Sequence, residues 1–373
     1  MKSKNFISIF IPVYKEPKLL EDIIEKILDN NYKEKEILVG VDGEVTSELR
    51  NIIDKYSDKI FIYSNGTRQG KPKLLNYLSS LAQGDFFLFL DNDVELPRDK
   101  NFLSKLNDLL TKYDIVELPK EAIIGNFFSR LISYDFLISA VLCYIVSKFF
   151  KTNLFLSGAA FGIKKEVFEE IGKFSEVINE DWDLMLKAFR LRKKYFFAIE
   201  LKVKTVVPSN LKEWVRQRIR WSLGIKYWWK QVLKDIKQFI RGLPIIFNII
   251  LFCCAPIILG LIIKEFNFFS KFIPTFIILS HQLSGNLGIA SFVYLLSILV
   301  LLLQGVFPFL FSLFISSATF YLFSKFLKFR FNFKEYFIYS LFYFPVIIPF
   351  YFVCFMFEKT FLKPFVALID WRS

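Results

Sequence analysis

The charged residues of this 373-residue chain are divided very unevenly along its length. Residues 242–373 contain 9 Lys and Arg and only 4 Asp and Glu, and hydrophobic residues make up 54% of the whole chain. A segment so poor in charge lacks the polar residues of a hydrated surface, whereas its long apolar runs suit a lipid bilayer. The sequence therefore predicts an aqueous region over residues 1–241 and a membrane region over residues 242–373.

Uncharged stretches define the spans of the membrane region. They are residues 243–263, 272–324 and 336–357. The middle stretch is long enough for two helices, with turns expected at residues 281–286 and 304–308. The total is three or four spans, because a cytoplasmic loop at Lys325 favours three, whereas Lys359 and Lys363 after the last span favour four.

Apolar runs and helical patterns alternate through the aqueous region. The runs are continuous, which is typical of strands in a parallel sheet covered on both faces. Repeated β-α units predict a doubly wound, mostly parallel α/β sheet with ligands at the carboxyl ends of its strands. The predicted strands are residues 6–13, 37–41, 60–63, 86–90 and 115–118, and the predicted helices are residues 18–30, 47–56, 71–81, 127–150 and 184–192.

Two helical patterns have a mixed character. Residues 127–150 are long enough to span a bilayer, but Asp135 argues against lipid exposure, so we interpret them as a buried or interfacial helix. Residues 211–241 are strongly basic and carry Trp214, Trp221 and Trp228 at seven-residue intervals. This pattern is typical of a helix lying in the membrane interface, and a plain amphipathic core helix is the alternative.

Charge and cysteine usage exclude several classes of protein. The net charge is +13, but the basic residues concentrate in residues 211–241 and near the predicted spans, which favours an anionic membrane or a phosphate-bearing substrate over nucleic acid. The four cysteines lie in apolar runs, which indicates no disulfides and a reducing compartment. The run at residues 6–13 is too short for a signal peptide. The single histidine, His281, lies in the membrane region, which excludes histidine or zinc chemistry elsewhere.

Carboxylates follow two of the predicted strands at the expected binding edge. Asp42 can accept hydrogen bonds from a nucleotide, although Asp before Gly is also common in turns. Asp91 and Asp93 follow the strand at residues 86–90, and in an extended chain both would face the same way. Such a pair favours Mg²⁺ or Mn²⁺ bridging a diphosphate, with an ordinary strand-end loop as the alternative.

Two further segments carry candidate groups. Asp181, preceded by Glu180, is a candidate general base for an acceptor hydroxyl, and the alternative is an acidic first turn of a helix. Lys71 follows Gly70 at the start of a helix, where a phosphate can bind, although the segment is not a P-loop.

The basic helix carries a third candidate group. Gln217, Arg220 and Trp221 share one helical face. Arg suits a phosphate and Trp suits a sugar ring. Anchoring in the membrane interface is the alternative.

Taken in order, these motifs resemble those of family 2 glycosyltransferases, in particular the membrane branch that contains cellulose, chitin and hyaluronan synthases and ceramide glucosyltransferases. The resemblance runs from residue 6 to about residue 230 and continues into the helices beyond. Its motifs are Ile11-Pro12-Val13-Tyr14-Lys15-Glu16, Asp42-Gly43, Gly70-Lys71 with Asn76, Asp91-Asn92-Asp93, Glu180-Asp181 and Gln217-x-x-Arg220-Trp221.

The resemblance implies a GT-A fold, a nucleoside-diphosphate sugar donor (most often a UDP-sugar), Mg²⁺ or Mn²⁺, and inversion at the anomeric carbon. The implied organisation is a GT-A catalytic domain over residues 1–210, an interfacial helix over residues 211–241 and a transmembrane domain over residues 242–373. One departure is the segment Val41-Asp42-Gly43-Glu44, where the family often has two Asp and a Ser.

The resemblance also assigns roles to individual residues. It makes Asp181 the catalytic base and Asp91 and Asp93 the metal ligands. The implied donor-binding residues are Pro12, Asp42, Lys71, Asp91, Asp93, Gln217 and Arg220. The implied acceptor-binding residues are Gly158, Glu180 and Trp221.

We expect a multi-pass enzyme of the cell membrane, with a cytoplasmic catalytic domain that transfers sugar to a lipid or glycan acceptor. A processive polysaccharide synthase is the alternative. The small number of spans, with none ahead of the catalytic domain, favours single transfers or a short polymer. A non-catalytic scaffold or transporter component is a second alternative, but the predicted spans hold few polar groups, chiefly Asn248, His281 and Gln304.

Overall fold

The computed structural model describes residues 5–234, 273–282 and 287–356, with residues 237, 240, 242, 244 and 245. Its contacts divide the chain into two units, Met1–Ile245 with Phe342–Ser373, and Ile246–Leu341. The domain boundaries inferred at residues 210 and 241 stay predictions. The span inferred at residues 243–263 lies almost entirely outside the described residues.

The first unit is an α/β structure. Its strands are β1 Ile7–Val13, β2 Lys35–Val41, β3 Phe61–Ser64, β4 Phe86–Leu90, β5 Val94–Glu95, β6 Ile115–Glu117, β7 Lys120–Ala122, β8 Ala160–Lys164, β9 Tyr195–Phe197 and β10 Val203–Thr205. Its helices are α1 Leu20–Leu28, α2 Ser47–Tyr56, α3 Lys71–Leu81, α4 Phe102–Leu110, α5 Phe127–Phe150, α6 Lys165–Glu170, α7 Glu180–Arg190, α8 Leu211–Leu233 and α12 Phe344–Met356.

Seven strands form the main sheet in the order β3-β2-β1-β4-β8-β6-β9. All neighbouring pairs are parallel except those of β8, which runs antiparallel to both β4 and β6. The predicted mostly parallel α/β sheet is therefore confirmed. A second sheet, β5-β10-β7, extends the first beyond the end of β4. Its strands have only two or three residues, too few to show a periodic pattern in the sequence.

The two faces of the main sheet are covered by different side chains. Strand residues alternate between faces, so Ile9 and Ile11 of β1 pack with apolar residues of α1, while Phe10 points to the opposite face. There Phe10 stacks on Phe89, with ring centroids 4.8 Å apart. The central strands β1 and β4 are buried on both faces, which explains why they read as continuous apolar runs.

The long helix α5 is buried along much of its length. It packs against β7 and β9, and Asp135 pairs with Arg218 of α8 rather than facing lipid. This agrees with the interpretation of a buried or interfacial helix. By length and composition alone, three helices of the described chain could cross a membrane: Phe127–Phe150, Phe309–Leu327 and Phe333–Cys354.

Two tryptophans of helix α8 are buried against other parts of the first unit. Trp214 donates from Nε1 to the Tyr343 hydroxyl at 2.6 Å, and Trp228 donates from Nε1 to the carbonyl of Leu154 at 3.2 Å. Both rings are buried. The expectation that these two side chains face a membrane interface is therefore wrong, because their indole N–H groups and ring surfaces are used inside the first unit. Whether the helix as a whole lies in the interface stays a prediction.

The described part of the second unit consists of helices. They are α9 Ile273–Gln282, α10 Leu287–Leu327 and α11 Phe333–Ile338, and a π-helical segment follows at Tyr339–Tyr343. The predicted turn at residues 281–286 lies mostly outside the described residues, which stop at Gln282 and resume at Leu287. The second predicted turn, at residues 304–308, is wrong, because α10 is continuous for 41 residues. Gly305 and Pro308 do not end this helix. Glycine and proline occur within helices in apolar surroundings, because the helix satisfies most of its backbone hydrogen-bonding groups internally.

Candidate active site

Six of the residues singled out in the sequence line one narrow cleft at the ends of β1 and β4. They are Pro12, Lys71, Asp91, Gly158, Glu180 and Asp181. The polar members come from four segments: the start of α3, the turn after β4, the loop before β8 and the first turn of α7. The predicted convergence of distant segments at the carboxyl edge of the sheet is thus observed for these six.

Lys71 is the electrostatic centre of the cleft. Its Nζ lies 2.6 Å from Asp91 Oδ1 and 3.4 Å from Glu180 Oε1. Burial opposes the ammonium charge, but the nearby carboxylates of Asp91 and Glu180 outweigh it and raise the pKa of Lys71. The side chain therefore remains charged and holds the turn after β4 close to the start of α7.

Asp181 is held by two backbone amides. Its Oδ2 accepts from the N–H of Gly158 at 2.8 Å, and its Oδ1 accepts from the N–H of Trp182 at 2.8 Å. Burial raises the pKa of the Asp181 carboxyl, and the charge of Lys71 and the two amide donors oppose that rise. The result is a fixed carboxylate in a partly desolvated cleft, which is the arrangement a general base needs.

Gly158 allows the close approach that holds Asp181. A Cβ atom at this position would lie 2.7 Å from Asp181 Oδ2 and 3.0 Å from its Cβ. We expect Gly158→Ala to displace the carboxylate and to lower the rate of the reaction that depends on it by roughly 10- to 100-fold, since small misplacements of reacting groups are costly. Steady-state rates of the purified variant measure this. Gly125→Ala is the matched control, because no atom lies within 4 Å of a Cβ there. Equal rates for both variants would contradict the positioning role.

Asp91 and Asp93 do not converge as an extended strand would place them. The chain turns at Asn92, and the N–H of Val94 donates to the carbonyl of Asp91. Asp91 pairs with Lys71, whereas Asp93 pairs with Lys18 at 3.0 Å. Within the described residues, no group of three or more His, Cys, Asp and Glu side chains is placed to hold a metal ion.

Asp42 stabilises the loop that precedes α3. Its buried carboxylate accepts from the backbone N–H groups of Gln69 at 2.6 Å and Gly70 at 3.0 Å. These contacts fix the loop in which Gly70 adopts a φ of 93°, a conformation that favours glycine, and from which Lys71 enters the cleft. Asp42 therefore shapes the loop that presents Lys71 and is not itself among the residues that line the cleft.

The buried arginine of the basic helix is Arg218, not the Arg220 of the predicted donor-binding motif. Gln217, Arg220 and Trp221 are partly exposed and are not among the residues that line the cleft. Arg218 is buried: it pairs with Asp135 at 2.6 Å, and its guanidinium carbon lies 4.4 Å from the centre of the Trp221 ring. Helical periodicity could not distinguish these faces, because both carry arginine and tryptophan.

Helix α8 meets α7 directly beside the acidic pair. A Cβ atom at Gly224 would lie 1.9 Å from the side chain of Asn179, the residue before Glu180. Gly224 follows Arg220 and Trp221 by about one helical turn. The motif on α8 is therefore close in space to the first turn of α7, although it does not reach the cleft in this structure.

Comparison with known proteins decides the family. Residues 8–172 match the model of the family described as glycosyl transferase family 2. The N-terminal part of this chain is a family 2 glycosyl transferase domain. The match includes Lys71, Asp91 and Gly158, and it ends before Asp181 and the motif on α8.

Two relatives extend the similarity beyond this family 2 domain. An uncharacterized glycosyltransferase of Rickettsia conorii is 28% identical over 206 residues, which cover 52% of this chain and 32% of that protein. The poly-beta-1,6-N-acetyl-D-glucosamine synthase of Staphylococcus aureus (strain COL) is 27% identical over 241 residues, which cover 58% of this chain and 54% of that protein. The chain thus spans about a third to a half of the length of these relatives.

A solved structure supports the fold of the family 2 domain. The mannosyltransferase PcManGT from Pyrobaculum calidifontis, solved with GDP-Man and Mn²⁺, matches with a TM-score of 0.52 at 18% identity. The match covers 63% of this chain and 66% of that chain. At this identity the likeness shows a common GT-A-like fold.

One buried carboxylate of the family 2 domain was missed by the sequence reasoning. Glu117 ends β6 and accepts a hydrogen bond from the Tyr195 hydroxyl at 2.6 Å. Burial raises its pKa to about 7, against the lowering effects of Tyr195 and Lys120. The only signal in the sequence was an acid that follows the apolar Ile115–Val116 pair directly.

An aromatic cluster beside Asp181 was also missed. Trp182, the residue after Asp181, packs edge-on against Phe155 with ring centroids 4.7 Å apart. Trp228 of α8 completes the cluster, 4.8 Å from Phe155 and 6.1 Å from Trp182. This packing fixes the first turn of α7 against α8.

Proposed function

We propose that this chain is an inverting glycosyltransferase that moves a sugar from a nucleoside-diphosphate sugar to an acceptor hydroxyl at a membrane surface. The observation that carries the proposal is the cleft in which Asp181, held by two backbone amides, lies with Lys71 and Asp91. A fixed carboxylate and a charged lysine at the end of a family 2 sheet suit proton abstraction on one side and diphosphate binding on the other.

In the proposed reaction, Asp181 takes the proton of the acceptor hydroxyl. The oxygen attacks the anomeric carbon of the donor sugar from the face opposite the diphosphate. The bond from that carbon to the diphosphate oxygen breaks, and the nucleoside diphosphate leaves with the bonding electron pair. Lys71 contributes positive charge near the departing diphosphate, since its ammonium group is already fixed in the cleft.

Asp91 and Asp93 fit a divalent cation by the chemistry of their donors. Both are carboxylates on one short turn, and the partners they have in this structure are the ammonium groups of Lys71 and Lys18, so each position already favours positive charge. When bound there, Mg²⁺ or Mn²⁺ would neutralise the diphosphate as a leaving group.

Removal of divalent metal is expected to stop turnover. With Asp91 and Asp93 as proposed ligands, dialysis against excess chelator should lower transfer at least about 100-fold, and added Mn²⁺ or Mg²⁺ should restore it. The measurement is nucleoside-diphosphate release over time. Full activity in excess chelator would show that no metal is required. Lys71 would then be the proposed positive charge that balances the diphosphate.

The acceptor is proposed to be a lipid or a glycan, and the donor to be a UDP-sugar. The Staphylococcus aureus relative is named as a polysaccharide synthase, which keeps a processive reaction as a second candidate. The proposed location is a cell membrane crossed several times, with the cleft on the cytoplasmic side. The three apolar helices of suitable length support membrane association.

The proposed function is tested with labelled nucleotide sugars. Membranes that contain the chain are incubated with a panel of labelled donors, and the label is then sought in organic-extractable lipid, soluble glycan and insoluble polymer. Incorporation that depends on Asp181 supports the enzyme and identifies its acceptor. Absence of both incorporation and nucleoside-diphosphate release with every donor would favour a non-catalytic role.

A further inference from the structure

Four large apolar side chains form an exposed surface next to the turn that carries Asp91 and Asp93. We call this surface the apolar rim; it consists of Ile124, Phe127, Val206 and Leu211, which are 36%, 50%, 42% and 64% exposed. They belong to two chain segments that lie side by side. The N–H of Ile123 donates to the carbonyl of Thr205, and the Asn126 amide donates to the carbonyl of Ser209. Apolar groups gathered in this way usually mark a contact surface.

Basic residues flank the apolar rim. Arg130, Lys212 and Arg216 are exposed in the first two turns of α5 and α8. The acidic groups nearby are engaged within the protein: Glu213 accepts from the N–H of Ser209 and from the Asn210 amide, and Glu121 pairs with Lys202. Exposed apolar side chains with cations beside them match the headgroup layer of an anionic membrane.

The packing of α8 supports a membrane rather than a protein partner. Leu211 of the rim is the first residue of α8, and α8 packs against α12, which belongs to the candidate span Phe333–Cys354. The Asn210 side chain caps the start of α8 by accepting a hydrogen bond from the N–H of Glu213. The rim therefore adjoins a helix that contacts a candidate membrane span.

The rim is attached to the proposed donor site by hydrogen bonds. The N–H of Val206 donates to the carbonyl of Asp93 at 3.1 Å, and the Thr205 hydroxyl lies 3.4 Å from Asp93 Oδ1. A surface that contacts the rim is consequently within a few residues of the turn between β4 and β5. An acceptor anchored in that surface would approach the cleft from the rim side.

Resting on the proposed function, we infer that the apolar rim lies in the headgroup layer of an anionic membrane and that the acceptor is a membrane-embedded, lipid-linked molecule. A soluble glycan would gain nothing from this surface. The rim thus assigns both a docking surface and an acceptor class that the cleft alone does not distinguish.

The docking surface is tested with the wild-type chain in nanodiscs of phosphatidylcholine containing a photoreactive phosphatidylglycerol. After illumination, modified peptides are mapped by mass spectrometry, with Phe309–Leu327 as the expected positive region. We expect labels on the segments 122–127 and 205–211 and none on Phe61 or Tyr77, which are equally exposed on the aqueous unit. Labels on the positive region without labels on the rim would overturn the docking surface.

The acceptor class is tested with Phe127→Ser/Leu211→Ser and the control Phe61→Ser/Tyr77→Ser. For the rim variant we expect transfer to extractable lipid to fall at least 10-fold, while nucleoside-diphosphate release by donor hydrolysis stays within 2-fold of wild type. Unchanged lipid transfer, or label that enters only soluble glycan, would overturn the inference but leave the enzyme intact. If the wild-type chain releases no nucleoside diphosphate from any donor, the proposed function itself fails.

Discussion

Asp181→Asn should reduce sugar transfer by at least about 100-fold, the lower end of what a positioned general base contributes. The amide cannot accept the proton of the incoming hydroxyl. It also offers a single acceptor oxygen to the two backbone donors that hold the carboxylate, the N–H groups of Gly158 and Trp182. One of these donors therefore loses its partner. The measurement is the transfer rate at saturating donor, together with equilibrium binding of the donor.

The matched control for this prediction is Asp183→Asn. Asp183 lies two residues further along α7, is also buried, and pairs with Lys187 rather than lining the cleft. It should lower stability without a comparable loss in rate, so that a melting curve separates the two effects. Donor affinity should stay nearly unchanged in Asp181→Asn, since Lys71 and Asp91 are intact. Wild-type transfer by this variant would end the assignment of the base.

Asp135→Ala should destabilise the first unit by about 3–5 kcal/mol, the usual cost of leaving one member of a buried ion pair without its partner. Arg218 is only 3% exposed and its Nη2 lies 2.6 Å from Asp135 Oδ2. The Tyr343 hydroxyl donates to the same oxygen at 2.8 Å and accepts from Trp214, so the pair joins α5, α8 and the segment before α12. Thermal unfolding of the full chain in detergent measures the loss.

A double variant and a surface pair make this prediction specific. Asp135→Leu/Arg218→Met removes both charges and should be less destabilised than Asp135→Ala, because no unpaired charge remains buried. Asp29→Ala, which removes a well-exposed partner of Lys100, should cost about 1 kcal/mol or less. Equal losses for Asp29→Ala and Asp135→Ala would mean that the buried pair has no special role.

Much of the fold could be predicted because buried strands and helix faces appear in the sequence as patterns of apolar residues. The bounds of α2, α3, β4 and α5 are the predicted ones, since each apolar run or helical period ends at a polar or turn-forming residue. β8 was not predicted, because a glycine interrupts the apolar run in Ala160–Lys164. The spacing of apolar residues also cannot show that this strand is antiparallel to its neighbours, because strand direction depends on pairing with residues far away in the chain.

The candidate site was predictable to the extent that strand ends converge. Lys71, Asp91 and Asp181 lie together because the carboxyl edge of a doubly wound sheet collects such residues. The side-chain geometry of Asp93 was not predictable, because one turn at Asn92 replaces the extended chain that would have aligned both acids. Likewise, only the position of α5 shows that Arg218 faces inward.

The reversed direction of β8 has a consequence for protein engineering. The N–H of Asp91 donates to the carbonyl of Ala159, so the residue before β8 joins the turn that carries Asp91 to Gly158, whose N–H donates to Asp181. The turn of Asp91 and the loop of Gly158 are coupled through this contact, so exchanging only one of them between homologues should disturb the other. Chimaeras should therefore exchange the whole stretch from the loop before Gly158 through α7. A shorter exchange should displace Asp91 and Asp181 relative to each other.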